Sequence, residues 1–217
     1  MMETIELAER YAPLTFNERL QQFYREFSGA RVLVTTSMGN TSPLLLKMVS
    51  EVCPGQEVTF IDTGYHFEET LSYKNRLQKV LGLRINIIGP EGKHHQPTKE
   101  NKLWNIDPDF CCLVNKVFPI RQLVRDHDVW VSGLLAFQNE NRRSKKMFEQ
   151  NDILKFYPIL DMTEEQASTY MLHHDLPVHP LSAEGYGSVG CFHCTKKSTG
   201  REGRWEKFGK TECGLHV

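Results

Sequence analysis

A β-branched stretch, RVLVTT (31–36), runs into a loop of small residues, SMGNTS (37–42), and then into the apolar run PLLLKMVS (43–50). This order constrains the fold more than any other feature of the chain. The β-branched residues favour a buried strand. Pro43 suits the first turn of a helix beginning near Ser42. The order recurs. EVTFID (57–62) reads as a second strand ending in a turn at Thr63-Gly64, and His66 to Leu81 as a helix. RINII (84–88) and VWVSG (129–133) read as further strands, and FYPIL (156–160) as a short fifth strand or extended edge. Thr163 can cap a helix running to about His174, with Glu165 near the capping-box place. Strands alternating with helices predict an α/β fold, a mostly parallel sheet with helices on both faces. Residues 3–28 read as two short helices broken near Pro13, and beyond Leu176 the chain looks irregular. The expectation is one domain over 1–217. It comprises an N-terminal helical segment (1–30), an α/β core (31–180) and a C-terminal extension (181–217).

A length of 217 residues is enough for one sizeable core. The net charge of −1 gives no global basic field, so nucleic acid is not an expected partner. No apolar run approaches the ~18 residues of a membrane helix, and MMETIELAERYAPLTF lacks the apolar region of a secretory signal. The expectation is a cytoplasmic protein, with homo-oligomerisation left open. In a reducing compartment six cysteines point to metal ligation or catalysis rather than disulfides.

In an open α/β sheet, ligands bind at the carboxyl ends of the strands. There Ser37, Gly39 and Ser42 would offer backbone N–H groups and hydroxyls to an anion. The loop lacks the Gly-Lys-Ser/Thr ending of a Walker loop. Its S-x-G-x-x-S pattern resembles the PP-loop of adenine-nucleotide α-hydrolase-like proteins. Asp62, Thr63 and Gly64 fall at the same expected edge. Four cysteines form two tight pairs, Cys111-Cys112 and Cys191-x-x-Cys194, able to hold zinc or an iron–sulfur cluster. Cys53 lies on an apolar helix face and reads as core. Cys213 sits on a Gly-containing tail, KTECGLHV.

Six stretches together resemble the assimilatory sulfonucleotide reductases: SMGNTS, IDTGYHFEET, CCLVNKVFPI, SVGCFHCT, REGRW and KTECGLH. The resemblance runs from about residue 31 to the end. The CC…CxxC set is similar to the iron–sulfur branch, usually adenylyl-sulfate (APS) reductases. The 3′-phosphoadenylyl-sulfate (PAPS) branch commonly keeps only the last cysteine. The resemblance implies a PP-loop-like fold with a mobile tail. It implies a 4Fe–4S cluster on Cys111, Cys112, Cys191 and Cys194, and Cys213 as the nucleophile. It also implies APS or PAPS as the substrate and thioredoxin or a similar external thiol as the reductant. Ser37, Gly39, Ser42, Asp62, Thr63 and Gly64 would hold the nucleotide. Lys116, Arg142, Arg201, Arg204 and His216 would complete the substrate site. Lys210 and a protonated His216 would favour the Cys213 thiolate, and Glu212 would oppose it.

Three positions depart from the family's pattern. Leu135 and Ala136 stand where a double arginine is usual, and Asn115 stands where a basic residue is common. The leading expectation is thiol-dependent reduction of APS to sulfite and AMP. The alternatives are the same reaction on PAPS, an ATP-using PP-loop sulfur-transfer enzyme, and a non-enzymatic redox sensor that binds metal.

Overall fold

The computed structural model describes residues 4–216. The first residue of the 3–28 expectation and the last of the chain therefore lie outside the described residues. In chain order the elements are α1 (Thr4–Tyr11), α2 (Phe16–Glu26), β1 (Val32–Thr36), α3 (Ser42–Val52), β2 (Glu57–Ile61), α4 (Glu68–Leu81) and β3 (Arg84–Ile88). A helical insertion follows: α5 (Gly92–Glu100), α6 (Leu103–Ile106), α7 (Pro108–Cys112), a π-helical turn (Leu113–Val117) and α8 (Phe118–Val124). Then come β4 (Val129–Ser132), α9 (Glu140–Arg143), β5 (Phe148–Gln150), β6 (Leu154–Phe156) and α10 (Glu164–His173).

The described strands form a six-stranded sheet in the order β3-β2-β1-β4-β6-β5. Every pairing is parallel except β5 on β6. The α/β expectation therefore holds. The fifth strand is corrected: FYPIL contributes only Phe156, and a hairpin of two three-residue strands closes this edge. Three residues per strand show too little alternation to be read in sequence.

The two N-terminal helices cover this antiparallel edge. Tyr11 meets Phe148 edge-on at 5.0 Å, and Phe23 lies 4.9 Å from Phe156. Arg19 is buried beneath them. It donates to Asp161 and to the carbonyls of Tyr11 (3.1 Å), Ala12 (3.1 Å) and Pro158 (3.0 Å), so the buried guanidinium has partners for its charge and its donors. The two N-terminal helices thus give Leu7, Tyr11, Leu20 and Phe23 to the core, which also takes Leu44, Leu46, Met48, Val34 and Val131.

Three local readings need adjustment. The capping box of α10 pairs Thr163 with Gln166, not Glu165. Cys53 ends α3 half-buried instead of sitting in the core. Leu135 is fully buried among core residues. Ala136 packs beside Leu134, Tyr157 and Leu160, and its N–H donates to the Leu160 carbonyl at 2.8 Å. The positions where a double arginine is usual therefore serve packing here. Among the described residues no helix is long and apolar enough to cross a membrane.

Candidate active site

β1 pairs with β2 on one side and β4 on the other, so the strand order reverses at its carboxyl end. That switch point is where an open sheet leaves a crevice. A cavity of about 160 Å³ opens there. The loop after β1 and the residues after β4 form its floor, and the C-terminal extension forms its roof. Asn40 fastens roof to floor, donating to the carbonyls of Tyr186 (2.8 Å) and Gly187 (3.1 Å). Within the loop, buried Met38 takes a left-handed φ of 52°. A side-chain-bearing residue held there is strained, and such strain gathers at ligand sites.

Ser37, Gly39, Ser42, Lys116, Arg142, Arg201, Arg204, Cys213 and His216 all line this cavity. Asp62, Thr63 and Gly64 do not. The β2 loop turns instead towards the paired cysteines, where Thr63 Oγ1 lies 3.3 Å from Cys191 Sγ. What this loop presents to the cavity is Ile61 and His66. The His66 Nε2–H donates to the Ile61 carbonyl at 3.0 Å, and buried Nδ1 has no partner. Burial, Lys116 and Arg204 keep this ring neutral.

The cations are arranged around Trp205, a residue the sequence reading did not single out. Its buried ring has the Arg204 guanidinium carbon 4.4 Å from the centroid, Lys210 Nζ at 5.6 Å and Lys116 Nζ at 5.8 Å. A ring face can accept cations taken out of water. Arg204 lies directly over Gly190: a Cβ there would come within 2.1 Å of the guanidinium, so only glycine fits. Arg204 Nη1 donates to the Val189 carbonyl at 3.1 Å, whereas its Nε and that of Arg201 are buried without partners. Buried, unpaired guanidinium donors are costly unless an anion completes them.

The tail is docked. Glu212 Oε1 accepts from Arg142 Nε (2.6 Å), Asn139 Nδ2 (2.9 Å) and Arg201 Nη2 (3.2 Å). Burial pushes this carboxyl up, but Arg142 and Arg201 outweigh it and hold it at about 2. Lys210 is paired with Asp109 and donates to the Pro108 carbonyl at 3.3 Å. His216 lies against Trp130, 4.8 Å between ring centroids, with Ser132 Oγ 3.3 Å from its Nε2. Burial, then Arg142 and Lys155, push this imidazole down to about 3, so it is neutral. The expectation that a protonated His216 and Lys210 act on Cys213 is thereby corrected. Lys116 and Arg201 are among the cations that line the cavity with Cys213. Both are far from it in sequence.

A second, smaller cavity lies beside the first. Cys111, Cys112, Cys191 and Cys194 all line it, with Tyr65, Trp104, Asn115, Lys116 and His193. α7 supplies one pair, and the π-helical turn that follows carries Asn115 and Lys116. Pro119 has no N–H to continue a regular ladder, which accounts for the widened turn. Asn115 Nδ2 is 3.6 Å from Cys111 Sγ, and its Oδ1 lies 2.8 Å from His95 Nδ1. The polar group at this position thus faces a thiol. His193 stacks on Trp104 at 3.7 Å and 2°, as a spacer rather than a fifth donor. Burial pushes Cys111 up to about 12 and Cys194 to about 11, with the neighbouring thiolates adding in the same direction. Burial also opposes the Cys191 thiolate, but Lys116, Thr63 and Arg204 win and hold it down. Lys116 lines both cavities. Burial disfavours its charge, and Cys191, Cys213 and Cys112 together raise it regardless.

A small-residue loop at the switch point of a mostly parallel sheet, with a thiol facing it from the docked tail, defines this as a doubly wound α/β protein with its site at the carboxyl ends of the strands. Residues 31–197 match the phosphoadenosine phosphosulfate reductase domain family, and the chain belongs to it. It is similar to the adenosine 5'-phosphosulfate reductase of Bacillus cytotoxicus, 33% identical over 208 residues, covering 91% of this chain and 88% of that one. The enzyme of that name from Streptomyces coelicolor is 34% identical over 200 residues, covering 88% and 84%. Among solved structures, the phosphoadenylyl-sulfate reductase of Candida auris in a phosphate complex superposes with a TM-score of 0.75 at 22% identity, over 88% of this chain and 95% of that one. An FMN adenylyltransferase of Candida glabrata gives 0.60 at 14% identity, over 89% and 66%. These two likenesses speak to the fold.

Proposed function

We propose that this chain reduces adenylyl sulfate to sulfite and AMP through Cys213. The observation that carries the reading is that Cys213 faces the same cavity as the β1 loop, Lys116 and Arg204. The relatives named adenosine 5'-phosphosulfate reductase support the choice of APS.

The apolar part of the cavity, with Leu45, Leu46, Ile61 and Leu134, suits an adenine ring. The β1 loop offers donors to the phosphate. Lys116, Arg204 and the free Nε of Arg201 suit the sulfate and phosphate oxygens. The Cys213 thiolate attacks the sulfur of the bound sulfate. The bond from sulfur to the bridging oxygen breaks, and AMP departs with that electron pair. Cys213 then carries a sulfonate. A thiolate of a dithiol reductant such as thioredoxin attacks Cys213 Sγ, forms a mixed disulfide and expels sulfite. The reductant's second thiol releases Cys213 and leaves an external disulfide. Two thiols are oxidised and one sulfate sulfur is reduced, so electrons balance.

Cys111, Cys112, Cys191 and Cys194 fit a 4Fe–4S cluster. Four cysteine sulfurs, two of them from a C-x-x-C, border one small cavity, and the donor set is all thiol. Among the described residues no three or more His, Cys, Asp or Glu side chains form a single-ion site. When bound, the cluster would supply a polarisable charge beside Lys116. Cysteines kept as thiolates suit a reducing cytoplasm.

The test is anaerobic protein with thioredoxin, given APS or PAPS separately, with sulfite measured. Sulfite from APS is the expected result. Sulfite from PAPS alone would move the reading to the 3′-phosphorylated substrate, and sulfite from neither would overturn it.

A further inference from the structure

Cys213 sits between two anchors. On one side Glu212 meets Arg142, Asn139 and Arg201; on the other Leu215 packs beside Leu33, Ile61 and Trp130, and the His216 ring lies tilted against Trp130. Gly214, at a φ of 88°, makes the bend between them. The Glu212 anchor is built from two separate parts of the chain. Asn139 and Arg142 come from α9 and its cap, and Arg201 comes from the extension. Asn139 uses both ends of its amide: Oδ1 caps α9 by accepting from the Arg142 N–H at 2.8 Å, and Nδ2 holds the tail. Gln138 Oε1 takes the Nη1 of Arg142, which fixes that guanidinium. Arg201 Nη2 also reaches the Thr211 carbonyl at 3.1 Å. The side chains of Arg142, Arg201 and Glu212 are only 13%, 15% and 9% exposed.

The geometry points to Glu212 as a positioning residue: its carboxylate, gripped by Arg142, Asn139 and Arg201, latches the tail so that Cys213 faces the cavity. Arg142 therefore serves the protein's own acid, and the substrate's anions fall to Lys116, Arg204 and the remaining Arg201 Nε. A buried ion pair fed by three donors is costly to break from one side. The tail has no strand or long helix of its own to hold it. Losing the carboxylate should raise the open population of the tail without disturbing the sheet. This inference rests on the reading of Cys213 given above.

The experiment compares wild type with Glu212→Gln and Glu212→Asp, as the whole chain handled anaerobically. Three quantities are read: hydrogen exchange of the tail amides, AMP affinity by calorimetry, and single-turnover AMP release from APS. In Glu212→Gln tail exchange should speed up by about tenfold or more, since a buried charge contact is lost. AMP affinity should stay within about twofold. Single-turnover release should slow, and Glu212→Asp should recover part of both changes. Unprotected tail amides in wild type would overturn the latch. So would unchanged exchange in Glu212→Gln, or a tenfold loss of AMP affinity that places the acid in nucleotide binding. If wild type makes no sulfite but the exchange results hold, the functional reading falls and the latch stands.

Discussion

The two neighbouring cavities share Lys116 and treat charge in opposite ways. The larger one gathers cations, and the protein supplies one carboxylate of its own, Glu212, to offset two of them. Guanidinium donors remain unpaired there, which suits a doubly charged ligand that comes and goes. The smaller one gathers four thiols, and burial and neighbouring thiolates oppose ionisation of three of them, Cys111, Cys112 and Cys194. It has aromatic walls, and among the described residues Lys116 is the one Lys or Arg that lines it. Such a site suits a group that binds once, displaces the protons and stays. The difference separates a cavity made for turnover from one made for retention.

The largest expected effect isolates the turnover side. Cys213→Ser should lower sulfite production by about 10³-fold or more, because an alcohol is a far poorer nucleophile than a thiolate at neutral pH. Iron–sulfur absorbance should be unchanged. Intact-mass measurements should show one sulfonate on wild type given APS without reductant, and none on the mutant.

Lys116→Met should strike both cavities. Removing this buried cation should weaken APS binding by roughly ten- to a hundredfold. It should also shift or bleach the visible absorbance of the loaded protein. A change in only one readout would break the idea of a shared counterion.

Gly190→Ala should affect the larger cavity alone. A methyl there must displace Arg204, at a cost of about tenfold in AMP affinity by calorimetry. The absorbance should stay as in wild type.

Acid should loosen the tail. His216 is surrounded by Arg142, Lys155 and Lys145 as well as Glu212, and its folded value is held near 3. For a histidine held low, the stabilising contribution is complete above the ordinary value of 6.5 and is lost as pH falls from there towards 3. Glu212, held at about 2, acts in the same sense at lower pH: its contribution is complete above 4.5 and lost as pH falls through 2. Tail hydrogen exchange, corrected for its intrinsic pH dependence, should therefore lose protection by up to about tenfold at pH 5.5 relative to pH 7.5. His216→Phe should flatten this dependence.

The smallest effect belongs to the retention side. Asn115→Leu removes the amide beside Cys111 Sγ and should shift the reduction potential of the loaded protein while leaving AMP affinity unchanged. A drop in AMP affinity would show that the two cavities are not separable.

Much of the arrangement was legible in the sequence. The β1 loop, the four paired cysteines, Lys116, Arg201, Arg204 and Cys213 could be read because each sits in a short motif of distinctive residue types. What was not legible depends on contacts across the chain. Trp205 is one aromatic in an irregular stretch, and nothing local says that three cations collect on it. Glu212 reads as a like charge next to a thiolate until Arg142 and Arg201, 70 and 11 residues away, neutralise it. Asp62 to Gly64 were placed by strand order, which fixes the edge but not the direction in which the loop turns. The insertion 92–124 has short helices interrupted by prolines, too brief for a periodic signal.

The two cysteine pairs stand far apart along the chain. α7 supplies one before β4, and the other follows α10. Whatever joins them encloses β4, β5, β6 and α10 in a covalent ring. In an unfolded chain, closing a loop of ~80 residues removes configurational entropy worth on the order of 4 kcal/mol on the chain-entropy view. The ligated centre would therefore act as a thermodynamic staple on the hairpin half of the sheet. Its loss would be felt as a lower melting temperature there before any change in chemistry.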